Sequence, residues 1–321
     1  MAMATSCGIN PQSPATPGIV TPDIAFDLSV NMMGNLTIDG QSVPVWTFQS
    51  GSNMGGGTAS VPGPTIRVRQ GQIVHTRLST HMPHTIHHHG IEPDTFNDGV
   101  GHHSFDVQGA YTYQWRPSQA GTYFYHCHVN TVLHAEMGMY AALIVDPPTG
   151  PGLAHVGGPS YNVEKIWAVD EVDPVWHRLP WDAGLCGADV GLNRFNPKLF
   201  IINGVGSGST ATHANVAISA KVGDKILLRY IHAGYCPHRV TFLNPAGLGG
   251  VQVIAEDGRP LKQIEVWPIV NAKATRTLTP AERLEFYFVP TAAGKYQVDV
   301  EYLHWLTGAV LGKATSYITI V

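Results

Sequence analysis

The 321-residue sequence is poor in charged residues, which make up only 13% of the chain, and its formal net charge is −4. It lacks a run of basic residues, which argues against nucleic acid as a partner. It also lacks an apolar run long enough to cross a bilayer. We therefore expect no nucleic acid partner and no membrane span.

Cysteine is scarce as well, and no long stretch has helical periodicity. The four cysteines contain no C-x-x-C pair of the kind that binds zinc or exchanges electrons. Cys186 and Cys236 are candidates for a disulfide in an oxidising compartment, and the alternative is two buried, unreactive thiols. The first residues contain no hydrophobic signal core. We take them as a mature or recombinant start rather than as evidence for the cytoplasm, and we expect a periplasmic or secreted protein.

Glycine, proline and alternating apolar residues are abundant. The 35 Gly and 23 Pro suit turn-rich β structure better than helical bundles. Segments 24–30 and 45–48 read as strands, and further strands are expected at 111–115, 122–128 and 141–145. Short strands at this spacing predict an all-β fold of Greek-key β-sandwiches.

The length of the chain predicts two domains. Residues 1–22, rich in Pro, Ser and Thr, are expected to form a flexible tail. Residues 147–152 read Pro-Pro-Thr-Gly-Pro-Gly, which neither continues a strand nor starts a helix. We therefore place the first domain at 23–150 and a second, similar domain at 151–321.

Histidine is the anomaly of the composition, with 17 residues concentrated between His75 and His134. A copper ion that changes oxidation state with little rearrangement favours one thiolate, two imidazoles and a weak thioether. Two segments, 84–90 and 126–139, contain such a set. The sequence therefore predicts a type 1 copper site made of His84, Cys127, His134 and Met139.

A second metal site follows from strand geometry. Alternate side chains of a strand point to opposite faces, so the sulfur of Cys127 and the flanking imidazoles should lie on opposite sides. The same parity separates His84 from the histidines that follow it. Four imidazoles are thus predicted to form an all-histidine copper site behind the thiolate: His87, His89, His126 and His128.

With these motifs the sequence resembles the cupredoxin-fold multicopper oxidases, the laccases, and the related two-domain copper nitrite reductases. The histidines and the glycine of the laccase pattern H-P-x-H-x-H-G are matched by residues 84–90, where Thr85 replaces the proline. The pattern H-C-H-x-x-x-H-x-x-x-G-M is matched by residues 126–139 with two extra residues before His134. The resemblance extends from about Asp23 to near the C-terminus. It implies two consecutive cupredoxin-like domains with a type 1 copper, and type 2 or type 3 copper at the other histidines.

The segment 302–314 is similar to the one by which nitrite reductases supply a histidine to the type 2 copper of a neighbouring subunit. This similarity implies that His304 of one chain joins His89 and His126 of the next. The active form would then be a homotrimer.

The sequence departs from both families. Nitrite reductases have a catalytic aspartate where this chain has His87, and they lack a ligand at the position of His128. Against a full three-copper cluster, the second domain has no His-x-His pair, and His232 and His238 are only candidates.

Protons for the reaction would have to come from acidic residues after the histidine strand. Glu92, Asp94 and Asp98 stand there, and we assign catalytic roles to Asp94 and Asp98; the alternative is that each is an exposed turn residue.

Together these features predict a copper oxidoreductase that takes single electrons from a small-molecule or redox-protein donor at the type 1 copper. The predicted acceptor is oxygen, reduced at the all-histidine site. The alternatives are a nitrite reductase that forms nitric oxide at a type 2 copper, and a non-catalytic blue-copper electron carrier.

Overall fold

A computed structural model describes residues 11–54 and 58–321. Regular structure in these ranges is nearly all β and forms two sandwiches, which confirms the predicted fold class. No helix within them is long and apolar enough to span a bilayer.

The first sandwich contains two sheets. Its strands in the described ranges are β1 (Pro11–Gln12), β2 (Ile24–Ile38), β3 (Gln41–Ser50), β4 (Ile66–Arg69), β5 (Val74–His84), β6 (His87–His89), β7 (Asp106–Trp115), β8 (Gly121–His126) and β9 (Tyr140–Asp146). One sheet has the order β1-β7-β5-β2-β3 and the other β4-β9-β8-β6. A short helix, α1 (Thr131–Glu136), connects β8 to β9.

The second sandwich also contains two sheets. Its strands are β10 (Val163–Val172), β11 (Leu199–Ile202), β12 (Val205–Gly206), β13 (Ile218–Ala220), β14 (Ile226–His232), β15 (His238–Leu243), β16 (Gln252–Glu256), β17 (Arg259–Val266), β18 (Ile269–Val270), β19 (Lys273–Leu278), β20 (Arg283–Phe288), β21 (Gly294–Leu303) and β22 (Val310–Ile320). The sheet orders are β12-β11-β10-β14-β20-β16-β17 and β13-β22-β21-β15-β19-β18. Turns of 3₁₀ helix occur at Trp176–Arg178 and Pro245–Leu248.

Part of the predicted N-terminal tail contacts the first sandwich. β1 pairs in parallel with β7, Thr16 Oγ1 donates to the carbonyl of Thr112 at 2.5 Å, and Val20 N donates to Gln114 Oε1 at 2.8 Å. Residues 1–10 of the predicted tail lie outside the described ranges. The contacts made from residue 11 onward do not fit a free tail that extends to residue 22.

Strands β8 and β9 are buried on both faces, which decides how the two halves meet. Along β9, Ala141, Leu143 and Val145 belong to the core of the first sandwich. The alternate residues Ala142 and Ile144 pack with residues of the second half. Because successive side chains of a strand point to opposite faces, one strand contributes to two apolar layers. The face of β8 that carries His126 is therefore turned toward the second sandwich.

A buried ionic network also joins the two halves. Arg229 Nε lies 2.7 Å from Glu164 Oε1, and Arg229 Nη1 lies 2.5 Å from Glu285 Oε1. Thr122 on β8 donates to Glu285 Oε1 at 2.7 Å, and Arg67 of the first half pairs with Glu164 at 2.6 Å. The guanidinium of Arg229 is fully buried, so its charge depends on these partners.

The cysteines differ from the expected pairing. Cys186 is exposed and disulfide-bonded, whereas Cys236 is free and buried. The candidate disulfide between Cys186 and Cys236 is therefore wrong. The alternative of two buried free thiols holds for Cys236 but not for Cys186.

Candidate metal centre

The structure brings the thiol and two imidazoles of the predicted type 1 set together. Cys127 Sγ lies 3.5 Å from His84 Nδ1 and 3.4 Å from His134 Nδ1. The three side chains have no solvent exposure, and their ligand atoms all lie within 4.8 Å of one another. One sulfur and two nitrogens at this spacing fit a copper ion that exchanges single electrons.

The backbone around Cys127 positions this cluster. Cys127 follows the last residue of β8, and its N–H donates to the carbonyl of Met139 at 3.0 Å. Met139 is fully buried in the same core cluster as Cys127. The two extra residues before His134 fall in a connection that forms α1, which returns the chain so that His134 faces the sulfur.

Burial sets the protonation of the cluster. Burial raises the pKa of the Cys127 thiol to about 12 and lowers the pKa of His134 to about 4. The metal-free site therefore holds a neutral thiol and neutral imidazoles at pH 7. A bound cation must displace the thiol proton, as metal–thiolate sites generally require.

Three imidazoles converge on the other side of the same chain segment. The ligand atoms of His87, His89 and His126 lie within 4.8 Å of one another, and His89 Nδ1 is 3.2 Å from His126 Nε2. The ring of His128 lies 5.3 Å from that of His87, and its buried Nδ1 has no partner in the described part of the protein. All four predicted histidines thus share one site, with three closest together.

Hydrogen bonds fix which ring nitrogen can face a metal. His87 Nδ1 lies 2.7 Å from the carbonyl of Asp98, and His126 Nδ1 lies 2.9 Å from the carbonyl of Cys127. A carbonyl can only accept, so each Nδ1 carries the hydrogen and each Nε2 keeps its lone pair. Burial lowers the pKa of His126 and, together with the Arg283 charge, lowers that of His89 to about 3. These lone pairs remain available at neutral pH.

The histidine site opens into a cavity of about 270 Å³ between the two sandwiches. The first sandwich contributes the four histidines and Phe124, and the second contributes a wall at residues 232–235 and 280–281. His232 in this wall is fully buried, and neither of its ring nitrogens has a partner in the described residues. His238 stacks on His232 at 3.5 Å but bonds to Tyr230 and Glu171. Of these two candidates, only His232 lines the cavity.

The predicted acidic residues are placed differently from each other. Asp98 supports His87 through its carbonyl, and its carboxylate lies 3.5 Å from His87 Nδ1. Asp94 is exposed and accepts from Phe96 N and Asn97 Nδ2, so it stabilises its own turn. Asp94 does not line the histidine cavity. The placement therefore agrees with the exposed-turn alternative for Asp94.

His304 lies away from the histidine cavity of its own chain. It begins a turn after β21, and its Nδ1 accepts N–H groups from Leu306 and Thr307 at 3.2 and 3.3 Å. This leaves the hydrogen on Nε2, so binding a metal through Nε2 requires these contacts to change. Trp305 and Leu306 beside it are 63% and 71% exposed.

One feature of the site was missed from the sequence. Trp181, which belongs to the second half of the chain, packs against the imidazoles of His84 and His134 at 6.4 and 5.8 Å. Its backbone carbonyl accepts the Nε2 hydrogen of His134 at 3.0 Å. No sequence motif identifies Trp181, because a residue of any type can supply a backbone carbonyl as acceptor.

Comparison with known proteins identifies the first half. Residues 38–150 match the Multicopper oxidase family model Cu-oxidase_3. These residues are therefore similar to a multicopper oxidase domain. The predicted ligand residues from His84 to Met139 all lie within this matched range, and the resemblance drawn from the motifs is confirmed.

Two proteins whose names refer to copper are similar to the chain. The copper resistance protein A homolog of Pseudomonas syringae pv. tomato is 32% identical over 126 residues, which cover 38% of this chain and 19% of that protein. The copper-containing nitrite reductase of Neisseria meningitidis serogroup B is 26% identical over 250 residues, covering 76% of this chain and 55% of that protein. The chain thus spans about a fifth of the length of the first relative and just over half of the length of the second.

A solved structure with similar architecture covers most of both chains. The blue copper oxidase from Nitrosomonas europaea superimposes with a TM-score of 0.70 at 25% identity, covering 92% of this chain and 86% of that one. The overall architecture of this chain is therefore similar to that of a solved copper oxidase over most of both chains.

Proposed function

We propose that this protein is a copper oxidoreductase that accepts single electrons at the Cys127 site and reduces oxygen in the histidine cavity. The observation that supports the proposal is the placement of two ligand clusters on opposite sides of three consecutive residues. Cys127 faces His84 and His134, while His126 and His128 face the cavity. Copper in both positions would supply one-electron exchange at the first and activation of a small oxidant at the second.

The chain itself supplies the electron path. His126 Nδ1 donates to the carbonyl of Cys127, so a hydrogen bond supplements the covalent link between the thiolate and that imidazole. His128, the other covalent neighbour of Cys127, gives a second branch of the path, and its N–H donates to Thr85 Oγ1 at 2.9 Å. These contacts hold both imidazoles in fixed relation to the sulfur.

The cavity residues favour oxygen over nitrite. The Asp98 carbonyl accepts the Nδ1 hydrogen of His87, so the Nε2 lone pair of His87 is directed away from that carbonyl. This position therefore offers an oriented metal ligand rather than a free acidic group. His232 offers an unpartnered ring nitrogen from the opposite wall, where it can hydrogen-bond to a small bound molecule. Asp98, at 3.5 Å from His87, is the acidic group that we propose as a proton source.

Nitrite reduction is the second candidate. The similarity to a copper-containing nitrite reductase over three quarters of the chain favours it. A site limited to His89, His126 and one further imidazole would hold a single type 2 copper.

We further propose a homotrimer in which His304 of one subunit enters the cavity of the next. The exposure of Trp305 and Leu306 supports a subunit contact at this turn, since exposed large apolar residues beside a ligand-type residue are suited to burial by a partner. A periplasmic or secreted location is also proposed, supported by the disulfide of Cys186.

Copper content and acceptor assays test these proposals together. We expect three or four coppers per chain, blue absorption, and oxygen uptake with a one-electron donor. Two coppers with nitric oxide formation from nitrite would favour the second candidate, and one copper without turnover would favour the electron carrier. His304→Ala should keep the blue absorption and stop turnover. Turnover that survives this substitution would reject the role given to His304.

A further inference from the structure

Residues 176–195 of the second half form what we call the cover segment, because it lies over the Cys127 site of the first half. The segment connects β10 to β11, and its apolar residues pack against the core of the first sandwich: Trp176, Leu179, Trp181, Ala183, Leu185, Val190, Leu192 and Phe195. Cys186 within it is disulfide-bonded. The packing spans most of the segment, so the cover is part of the folded core rather than a loose loop.

Specific hydrogen bonds hold the cover segment on the ligand loop. Asn130, at the start of α1, donates through Nδ2 to the carbonyl of Ala183 at 2.9 Å. Trp181 Nε1 donates to the carbonyl of Pro83 at 3.3 Å, next to His84. The cover is therefore attached beside both imidazoles of the site.

The outer edge of each imidazole is occupied by protein. His134 Nε2 donates to the carbonyl of Trp181, and the ring of Trp46 meets His134 edge-on at 5.3 Å. His84 Nε2 lies 3.4 Å from the sulfur of Met32. Both rings have no solvent exposure. A donor molecule in solution can reach neither imidazole.

Trp181 lies between His134 and the protein surface. Its side chain is 9% exposed, and the neighbouring residues Pro180 and Asp182 are exposed. Its ring stands against both imidazoles, and its own carbonyl is bonded to one of them. A short path between solvent and His134 therefore runs through this residue.

We propose that the cover segment restricts electron donors to those that transfer an electron through Trp181 without contacting an imidazole. This inference rests on the proposed function and specifies its donor class: metal complexes or redox proteins that need no bond to the site. One electron leaves the donor and reduces copper(II) to copper(I); no bond forms or breaks. Phenols, which are aided by a hydrogen bond to the site as they lose an electron and a proton, are poor donors to this protein.

The first test measures reduction of the copper-loaded protein in the absence of oxygen, followed by loss of the blue absorption. Wild type, Trp181→Ala and Trp181→Phe are compared, with Val175→Ala as the control because Val175 is 70% exposed and precedes the segment. The donors are hydroquinone and a substitution-inert ruthenium(II) ammine complex. Trp181→Ala keeps the carbonyl that binds His134 but removes the indole that anchors residue 181 in the core and to the Pro83 carbonyl, so this carbonyl should move away from His134 Nε2. The ratio of the hydroquinone rate to the ruthenium rate should then rise about tenfold or more, the effect of one added donor–imidazole hydrogen bond. Trp181→Phe and Val175→Ala should stay near the wild-type ratio.

The second test needs no copper. Diethyl pyrocarbonate modifies accessible neutral imidazoles, and the modified positions can be mapped by mass spectrometry. In the wild-type protein His134 should stay unmodified while the exposed His81 reacts. In Trp181→Ala, His134 should react and the buried His238 should not, which shows that the fold persists.

The outcomes separate this inference from the proposed function. Absence of blue absorption in the copper-loaded wild type would reject the proposed function, while the modification pattern would still decide whether the cover is closed. Modification of His134 as fast as His81 in the wild type would overturn the inference. An unchanged rate ratio in Trp181→Ala, with His134 newly accessible, would also overturn it.

Discussion

The buried network between the sandwiches allows a quantitative prediction. Arg229→Met removes the guanidinium from Glu285, whose side chain is only 2% exposed, and also from Glu164. Breaking a buried ion pair from one side leaves an uncompensated charge, which costs about 3–5 kcal/mol of unfolding free energy. We expect a loss of that size in the copper-free protein.

Urea unfolding followed by circular dichroism measures this loss. Adding Glu285→Gln to Arg229→Met removes the stranded charge and keeps an acceptor for the Thr122 hydroxyl, so the double variant should recover much of the stability. The control is the partly exposed pair of Arg239 and Glu301, also 2.7 Å apart, where Arg239→Met should cost no more than about 1 kcal/mol. Equal costs for Arg229→Met and Arg239→Met would refute the argument from burial.

Other predictions concern the sulfur, the domain contact and acid stability. Cys127→Ser should abolish the blue absorption and leave the circular dichroism spectrum unchanged; a persistent blue colour would reject Cys127 as a ligand. Gly121→Ala would place a methyl group 2.5 Å from the carbonyl oxygen of Gly258, and we expect this overpacking between the halves to cost about 1–3 kcal/mol in urea unfolding; an unchanged midpoint would show that the halves can separate freely. Burial lowers the pKa of His238 to about 3, so between pH 6.5 and 3 the unfolded chain binds a proton there that the folded chain does not, and stability falls by about 1.4 kcal/mol per pH unit on acidification. His238→Phe should lower the unfolding free energy overall, but near pH 5 it should reduce the slope of unfolding free energy against pH by about 1.4 kcal/mol per pH unit, which corresponds to one proton. An unchanged slope would contradict the assignment.

Residue spacing was sufficient to predict which side chains lie together in the two clusters. The thiol of Cys127 and the imidazoles beside it do lie on opposite sides, but strand alternation explains only part of this arrangement. β8 ends at His126, so Cys127 and His128 lie beyond the strand. The backbone hydrogen bond from Cys127 N to the Met139 carbonyl continues the pairing at that point.

His84 and His87 are separated for a different reason than strand parity. His84 ends β5 in one sheet, whereas His87 begins β6 in the facing sheet. The two residues between them carry the chain across the sandwich. A sequence pattern shows the three-residue spacing but does not show that the chain changes sheets.

The cover segment could not be predicted because its role depends on contacts between residues far apart in the chain. Trp181 and His134 are 47 positions apart, and their link uses a backbone carbonyl that every residue possesses. Nor does any local signal show that Asp94 bonds within its own turn while Asp98 holds His87. Such differences arise from the folded positions of the segments, which residue type alone does not specify.

The position of the cover segment in the chain has a consequence for biosynthesis. Synthesis proceeds from the N-terminus, so His84, Cys127, His134 and Met139 are all made before the cover segment. A chain shortened to the first sandwich should therefore present an open, water-accessible thiol beside two imidazoles. We expect such a fragment to lose its metal readily to chelators, so that retention of the ion would depend on the second half.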